Sequence, residues 1–295
     1  MMSPMTDYHF GYGSNLDLDD WKKWCDDHSR KSSEMQVEPG IFFLPDYELA
    51  FHYESGIRGG GALDVVKLRG HAVAGKLFKV TGDGWGSLDA KEGSPSSYEQ
   101  KQVEVLSENG ELRTAITYVV ASGRIEENHV PPRPNYIEIV KRAYDHYGIT
   151  KAYPWAKDQL LASAKGKVTK SAVNHLFIYG TLRDGEERSG KLSEFSSKVY
   201  KDCKIRGRLI DLPEGYPGLI SGDGSVVGEI HHTPKIQNVL KILDNDVEDF
   251  KGYGEDGSLF HRVLTYSNDI PCWTYVYAGS PDDGPVIESG DWLKR

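Results

Sequence analysis

The stretch Tyr12-Gly13-Ser14-Asn15 is the first place where this sequence could bind a charged group. It directly follows a strand-like run at residues 8–10, and glycine at a strand end lets backbone N–H groups converge on an anion. The same tetrapeptide is also ordinary β-turn chemistry. No Gly-Lys-Ser/Thr follows and the G-x-G-x-x-G spacing is absent, so neither a P-loop nor a dinucleotide-binding fingerprint is predicted.

A second candidate is Glu92, in the segment Leu88-Asp89-Ala90-Lys91-Glu92-Gly93. The segment is helix-like, and Gly93 is placed to cap its end. A carboxyl group held there could carry protons, although most glutamates simply face solvent. Three tyrosines in predicted strands, Tyr98, Tyr118 and Tyr275, could reach a site or could pack with only the hydroxyl at the sheet edge.

The histidines and cysteines do not form a metal-binding pattern. There is no H-E-x-x-H motif and no Cys/His cluster, and His231 and His232 are adjacent, so on a strand they face opposite sides. No metal and no cofactor are predicted. A Ser–His–Asp arrangement stays open, although the sequence contains no G-x-S-x-G elbow.

The chain repeats its own motifs in the same order. Four pairs correspond: 10–16 with 177–182, 74–78 with 227–231, 88–92 with 243–248, and 117–121 with 274–278. One match would be chance, but four in order indicate a duplication with altered loops. We therefore expect two domains, residues 1–165 and 172–295, joined by a linker that includes the short basic run 165–170.

Strand candidates outnumber helix candidates in both halves. Helical spacing occurs at 134–147, and a further helix is expected at 155–164. We therefore predict an α+β fold in each half, a small mixed β-barrel or sheet with a few flanking helices. The predicted strands span residues 41–43, 48–53, 72–80, 102–106, 113–120, 175–179, 205–211, 226–231, 262–266 and 272–277.

Composition excludes several function classes. The 295 residues carry a net charge of −9, which gives no general attraction to nucleic acid or to an anionic membrane. No run approaches the ~18 apolar residues of a membrane span. The three cysteines are widely spaced and the first eight residues lack a signal-peptide pattern. These features predict a cytoplasmic protein that contacts neither nucleic acid nor membrane.

The first half resembles the cytosolic γ-glutamylcyclotransferases. The resemblance rests on F-G-Y-G-S-N-L at 10–16, G-G-A-L at 60–63, V-A-G-K-L-F at 73–78, L-D-A-K-E-G at 88–93, Y-E-Q-K-Q-V at 98–103 and P-P-R-P-N-Y-I-E-I-V at 131–140. It implies that Glu92 is the general acid/base. It also implies a substrate-binding set comprising Phe10, Gly11, Tyr12, Gly13, Ser14, Asn15, Tyr98 and Tyr118.

The second half is similar to the γ-glutamylamine cyclotransferase and avirulence-induced-protein branch. The matching motifs are F-I-Y-G-T-L-R-D-G at 177–185, E-G-Y-P-G-L-I at 214–220, V-V-G-E-I at 226–230 and S-L-F-H-R-V at 258–263. Its implied binding residues are Tyr179, Gly180, Thr181, Leu182 and Tyr275. One extra residue puts Glu248 in the catalytic position, whereas alignment on Gly252-Tyr253 would put Lys251 there and make this half inactive.

The resemblance implies a cofactor-free enzyme acting on a small γ-glutamyl molecule. In the family reaction, the substrate's α-amine attacks its own γ-carbonyl, and 5-oxoproline and an amine are released. Two alternatives stay open: a regulatory protein that binds γ-glutamyl groups without chemistry, and an amidohydrolase that uses water. The sequence identifies neither the leaving amine nor the oligomeric state.

Overall fold

The computed structural model describes residues 6–167 and 173–295, so residues 168–172 of the expected linker lie outside the described residues. The chain divides into two compact units, and the second begins at Val173. The sheets and flanking helices confirm the predicted α+β fold.

The first unit is built on a closed barrel. Its strands pair in the ring β1–β8–β7–β3–β6–β1, and β2 pairs antiparallel with residues 78–80 at the end of β6. Only β1 and β8 run parallel within the described ring. Its strands are β1 (Tyr8–Gly11), β2 (Met35–Val37), β3 (Phe42–Ala50), β4 (Glu54–Ser55), β5 (Gly60–Gly61), β6 (Asp64–Val80), β7 (Tyr98–Ser107) and β8 (Leu112–Val120).

Five helices accompany this barrel in the described residues. The site depends most on α2, a short helix that ends because Gly93 adopts a left-handed φ of 64°. Its neighbour α1 begins where the Asp17 side chain accepts the N–H groups of Asp19 and Asp20. The helices are α1 (Leu18–Asp27), α2 (Gly84–Glu92), α3 (Pro134–His146), α4 (Ile149–Ala152) and α5 (Pro154–Ser163).

The second unit carries a five-stranded sheet in the order β10-β11-β9-β13-β12. As in the first unit, its first strand runs parallel to a late strand, here β13. The elements are β9 (His175–Ile178), α6 (Gly190–Ser193), β10 (Lys198–Asp211), β11 (Pro217–His232), α7 (Ile236–Asp246), β12 (Phe260–Ser267) and β13 (Ile270–Tyr277).

The same contacts fix the first strand of each unit. The Thr117 hydroxyl donates to the Phe10 carbonyl at 2.8 Å, and the Thr274 hydroxyl donates to the Phe177 carbonyl at 3.0 Å. A β-carbon at Gly75 or Gly228 would lie 2.3 Å from a carbonyl oxygen of that strand. Glycine is therefore required at both positions, and each strand delivers its following loop to one place.

Several element predictions were wrong in detail. Residues 41–43 and 48–53 are not two strands, because one strand continues through a bulge at Asp46, whose φ is 60°. The strands predicted at 72–80 and 226–231 are the ends of the much longer β6 and β11. Helices α1 and α7 were not predicted, although the buried face of α7 has helical spacing: Ile236, Val239, Leu240 and Leu243.

Candidate active sites

A cavity of about 590 Å³ opens at the end of β1 in the first unit. The loop after β1 and the end of α2 form its floor, and tyrosines from three other elements form its walls. The predicted residues brought together there are Phe10, Gly11, Tyr12, Gly13, Ser14, Asn15, Glu92, Tyr98 and Tyr118. Pockets of this size accommodate drug-sized ligands.

Glu92 is partly buried, and its carboxylate is held by the loop. The Asn15 side-chain amide donates to Glu92 Oε1 at 2.6 Å. Burial raises the pKa of Glu92, and the neighbouring Lys91 ammonium and the Asn15 hydrogen bond partly oppose that rise. A carboxyl group whose pKa is raised in this way is better suited to accept and return a proton.

The loop leaves hydrogen-bonding capacity facing the cavity. Within residues 6–167, no protein acceptor takes the backbone N–H of Gly13, Ser14 or Asn15. Asn15 is 95% buried, and its Oδ1 has no partner among the described residues. The loop can therefore receive an anionic group through its N–H donors and a cationic N–H through Asn15.

The tyrosine hydroxyls are occupied by the protein. Tyr12 donates to the Tyr118 carbonyl at 2.7 Å, and Tyr98 donates to the Leu63 carbonyl at 2.8 Å. The Tyr118 hydroxyl donates to Asp89 Oδ1 at 2.8 Å. Tyr118 was expected to face the substrate, and its ring does line the cavity, but its only proton is already donated to Asp89.

An ion cluster stands beside Glu92. Asp20 accepts Lys91 Nζ at 2.8 Å and both terminal nitrogens of Arg58, at 3.0 and 3.3 Å. Although burial raises the pKa of Asp20, the hydrogen bonds from Arg58 and Lys91 outweigh it and the pKa is lowered. Two cations share this one carboxylate, so the cluster is net positive.

Sequence reasoning missed several residues that line this cavity, among them the ion cluster, His9 and Tyr136. His9 Nδ1 lies 3.1 Å from the Ile116 carbonyl, and since a carbonyl only accepts, this nitrogen carries the proton. Burial lowers the pKa of His9 to about 4, so the ring is neutral. Tyr136 accepts the Leu63 N–H at 3.2 Å and belongs to the matched stretch 131–140, which was a usable signal.

The second unit carries a smaller version of this site. Its cavity measures about 40 Å³, and Tyr179, Gly180, Thr181, Leu182, Glu248 and Tyr275 all line it. Burial raises the pKa of Glu248 to about 7, although the Arg188 guanidinium works against that rise. Where the first loop has Asn15, this loop has Leu182, which offers no amide to the glutamate.

Glu248, and not Lys251, takes the position equivalent to Glu92. Asp249 has a left-handed φ of 48°, matching Gly93 after Glu92. A wide turn accommodates the extra residue: the Glu248 N–H donates to the Leu243 carbonyl, five residues earlier, at 2.9 Å. Lys251 is exposed, pairs with Asp249 and is not part of the cavity lining.

In the part of the chain that the structure describes, no group of three His, Cys, Asp or Glu side chains is arranged to hold a metal ion. The three cysteines are buried and unpaired. None of the described helices has both the length and the apolar character needed to cross a bilayer.

Proteins of named function are similar to this chain in sequence. A relative from Niallia circulans, named γ-L-glutamyl-butirosin B γ-glutamyl cyclotransferase, is 34% identical over 122 residues, which is 40% of this chain and 74% of that protein. The chain belongs to the γ-glutamylcyclotransferase family. A putative γ-glutamylcyclotransferase of Vibrio cholerae is 32% identical over 125 residues, 42% of this chain and 99% of that protein.

Two family models match this cyclotransferase in tandem. Residues 72–156 match one described as AIG2-like family, and residues 176–294 match one described as γ-glutamyl cyclotransferase, AIG2-like. A solved γ-glutamyl cyclotransferase covers 55% of the chain and 93% of its own length, at 24% identity and a TM-score of 0.43. The predicted family and enzyme class are confirmed, and both halves carry the family's pattern.

Proposed function

We propose that the chain cyclises γ-glutamyl conjugates, releasing 5-oxoproline and a free amine, with Glu92 as the proton carrier. The observation that carries this proposal is the pairing of Glu92 with a loop whose N–H donors are unoccupied in the described residues. A γ-glutamyl group presents an α-carboxylate, an α-ammonium and a γ-carbonyl, and such a site offers a partner to each.

The reaction needs little more than positioning and one proton carrier. The α-ammonium loses a proton to Glu92, and its nitrogen then attacks the γ-carbonyl carbon. The bond to the leaving amine breaks as Glu92 returns this proton to that amine, and the ring nitrogen, which still carries two protons after the attack, releases one of them to water to become the lactam N–H. Because the nucleophile is tethered, fixing the reactive conformer contributes most of the rate, with effective molarities of ~10⁵–10⁸ M known for such cases.

The surrounding residues have separate tasks in this mechanism. Asn15 holds Oε1 of Glu92, which leaves Oε2 for the substrate, and its own Oδ1 is available to the α-ammonium. The N–H groups of Gly13 and Ser14 bind the α-carboxylate or stabilise the oxyanion that forms on the γ-carbonyl. The raised pKa of Glu92 brings it nearer to the working pH, which favours transfer in both directions.

We further propose that the second unit performs the same chemistry through Glu248 on a different conjugate. Its cavity of about 40 Å³ is too small for a γ-glutamyl group as it stands, so its walls have to open. The Niallia circulans relative is named for γ-L-glutamyl-butirosin B. We therefore include γ-glutamyl amines beside γ-glutamyl amino acids among the candidate conjugates.

Product analysis tests this function directly. The full chain is incubated with γ-glutamyl amino acids and γ-glutamyl amines, and 5-oxoproline, glutamate and the free amine are quantified. We expect 5-oxoproline and amine in equal amounts. Release of glutamate would show an amidohydrolase that uses water, and substrate-dependent thermal stabilisation with no product would show a binding protein.

A further inference from the structure

Three side chains tie α2 to the barrel just before Glu92. Asp89 Oδ1 accepts the Tyr118 O–H at 2.8 Å and the Gln100 amide at 2.9 Å. Gln100 also lies 3.3 Å from the Tyr118 hydroxyl, and these two residues face each other across β7 and β8. We call Asp89, Tyr118 and Gln100 the first latch.

The second unit has the same arrangement before Glu248. Asp244 accepts the Tyr275 O–H at 2.7 Å and the Arg262 guanidinium at 2.8 Å. Arg262 and Tyr275 face each other across β12 and β13, as Gln100 and Tyr118 do in the first unit. Asp244, Tyr275 and Arg262 form the second latch.

The two latches keep one geometry with different chemistry. A neutral, exposed glutamine in the first unit is replaced by a fully buried arginine in the second. The aspartate and the tyrosine are unchanged, as are the elements that carry them. Since this position on the strand differs so widely in charge and burial, the common feature is the hold on a helix that carries Glu92 in the first unit and that ends two residues before Glu248 in the second.

Packing alone does little to fix the rotation of α2 about its own axis. Its buried residues are Gly84, Ser87 and Leu88, which present a small apolar surface. Asp89 lies one turn before Glu92, so its two hydrogen bonds fix the direction in which Glu92 points. Neither Asp89 nor Gln100 lines the cavity, and neither Asp244 nor Arg262 lines the second one.

We propose that Asp89 and Asp244 are positioning residues that aim Glu92 and Glu248 at the substrate through their latches. The proposal rests on the function proposed above, because it assigns both residues to that reaction. A displacement of about 1 Å at a reacting group can cost ~10²-fold in rate. Losing a latch should therefore lower kcat and leave KM nearly unchanged.

The test measures 5-oxoproline release by full-length variants of the first latch in a Glu248→Gln background, so that the second site adds no product. Asp89→Leu removes the acceptor and should lower kcat by ~10²-fold. Asp89→Asn keeps an oxygen for the Tyr118 O–H and should restore kcat to within about threefold of wild type. Tyr118→Phe keeps the ring and loses only the O–H, so we expect ~3–10-fold lower kcat with KM within about twofold.

Tyr153→Phe is the matched control. Tyr153 also donates to a carboxylate, Glu108 Oε1 at 2.5 Å, and it lies outside the cavity of the same unit. Removing the Tyr153 hydroxyl should lower the melting temperature as much as Tyr118→Phe does, with kcat per folded molecule unchanged.

Each outcome is decisive. A folded Asp89→Leu or Tyr118→Phe with wild-type kcat would overturn the positioning role. So would a loss that Tyr153→Phe reproduces, or a loss confined to KM, which would make Tyr118 a substrate ligand. Wild-type chain that forms glutamate or no product would instead overturn the function on which this proposal rests.

Discussion

The two units share the same arrangement of central site residues and differ in the cavity around them. Both present a glutamate before a left-handed residue, a tyrosine whose O–H binds an aspartate three or four residues before the glutamate, and a loop after the first strand. Their cavities nevertheless measure about 590 and about 40 Å³. The two units have thus kept the same glutamate, aspartate and tyrosine arrangement and differ in the volume of the cavity beside it.

The electrostatics of the two glutamates diverge as well. Asn15 and Lys91 favour the charged form of Glu92 and oppose the effect of burial. Burial raises the pKa of Glu248 to about 7, although the charge of Arg188 opposes this rise. The units should therefore respond differently to mutation, to pH and to separation.

The largest effect should come from removing each glutamate's proton chemistry. Glu92→Gln should lower 5-oxoproline release at the first site by at least ~10², the usual scale for a general acid/base. Glu248→Gln should do the same for a separate set of substrates. The exposed Glu99→Gln is the matched control. Equal losses on every substrate from both variants would mean one shared site.

The two latches should differ sharply in their effect on stability. Arg262→Leu leaves the buried Asp244 without its cation, and breaking such a pair costs about 3–5 kcal/mol of unfolding free energy. Gln100→Leu removes an exposed amide and should cost less than about 1 kcal/mol. Urea unfolding followed by tryptophan fluorescence measures both, and equal costs would contradict the buried ion pair.

The second unit should lose stability as pH rises. Glu248 has a folded pKa of about 7, and an unfolded glutamate has a pKa near ~4.3. The folded state therefore holds the proton more tightly, and stability present at low pH is lost between about pH 4 and pH 7, on the order of 2–3 kcal/mol. Glu248→Gln should flatten this slope in pH-dependent unfolding, and an unchanged slope would place its origin elsewhere.

A smaller effect should follow from replacing Asn15 of the first loop with leucine, the residue at the equivalent position of the second loop. Asn15→Leu removes the hydrogen bond to Glu92, which raises the pKa of Glu92 further and releases its Oε1. We expect roughly tenfold lower activity and an acidic limb of the pH–rate profile shifted to higher pH. The reverse change, Leu182→Asn, should lower the pKa of Glu248. A pH profile untouched by Asn15→Leu would contradict this role.

Separating the units should have the smallest effect. Each carries its own loop, glutamate and latch, so residues 1–165 and 172–295 should fold when expressed alone. Activity of each piece should stay within about twofold of its site in the full chain. Circular dichroism and 5-oxoproline release measure this, and an inactive, unfolded piece would show that one unit needs the other.

The ordered motifs predicted the tandem family pattern, and the resemblance they carry put the loop and Glu92 in one site. Local signals alone left Glu92 as an ordinary helix-end glutamate and the loop as an ordinary turn. The latches were not predictable, since they join residues whose pairing depends on the register of distant strands. The sequence also left Glu248 and Lys251 open, and only the wide turn at Leu243 brings Glu248 to the cavity. Cavity volume depends on how whole elements pack, which no short motif encodes.

The parallel pairing of the first strand with a late strand has a consequence for synthesis. The Thr117–Phe10 bond joins residues 107 apart in the chain, and the Thr274–Phe177 bond joins residues 97 apart. Contacts of such long separation form late in folding, because their loops must close first. The first loop therefore cannot form its site until β8 has left the ribosome. The first unit is then complete and can be active before the second unit is translated.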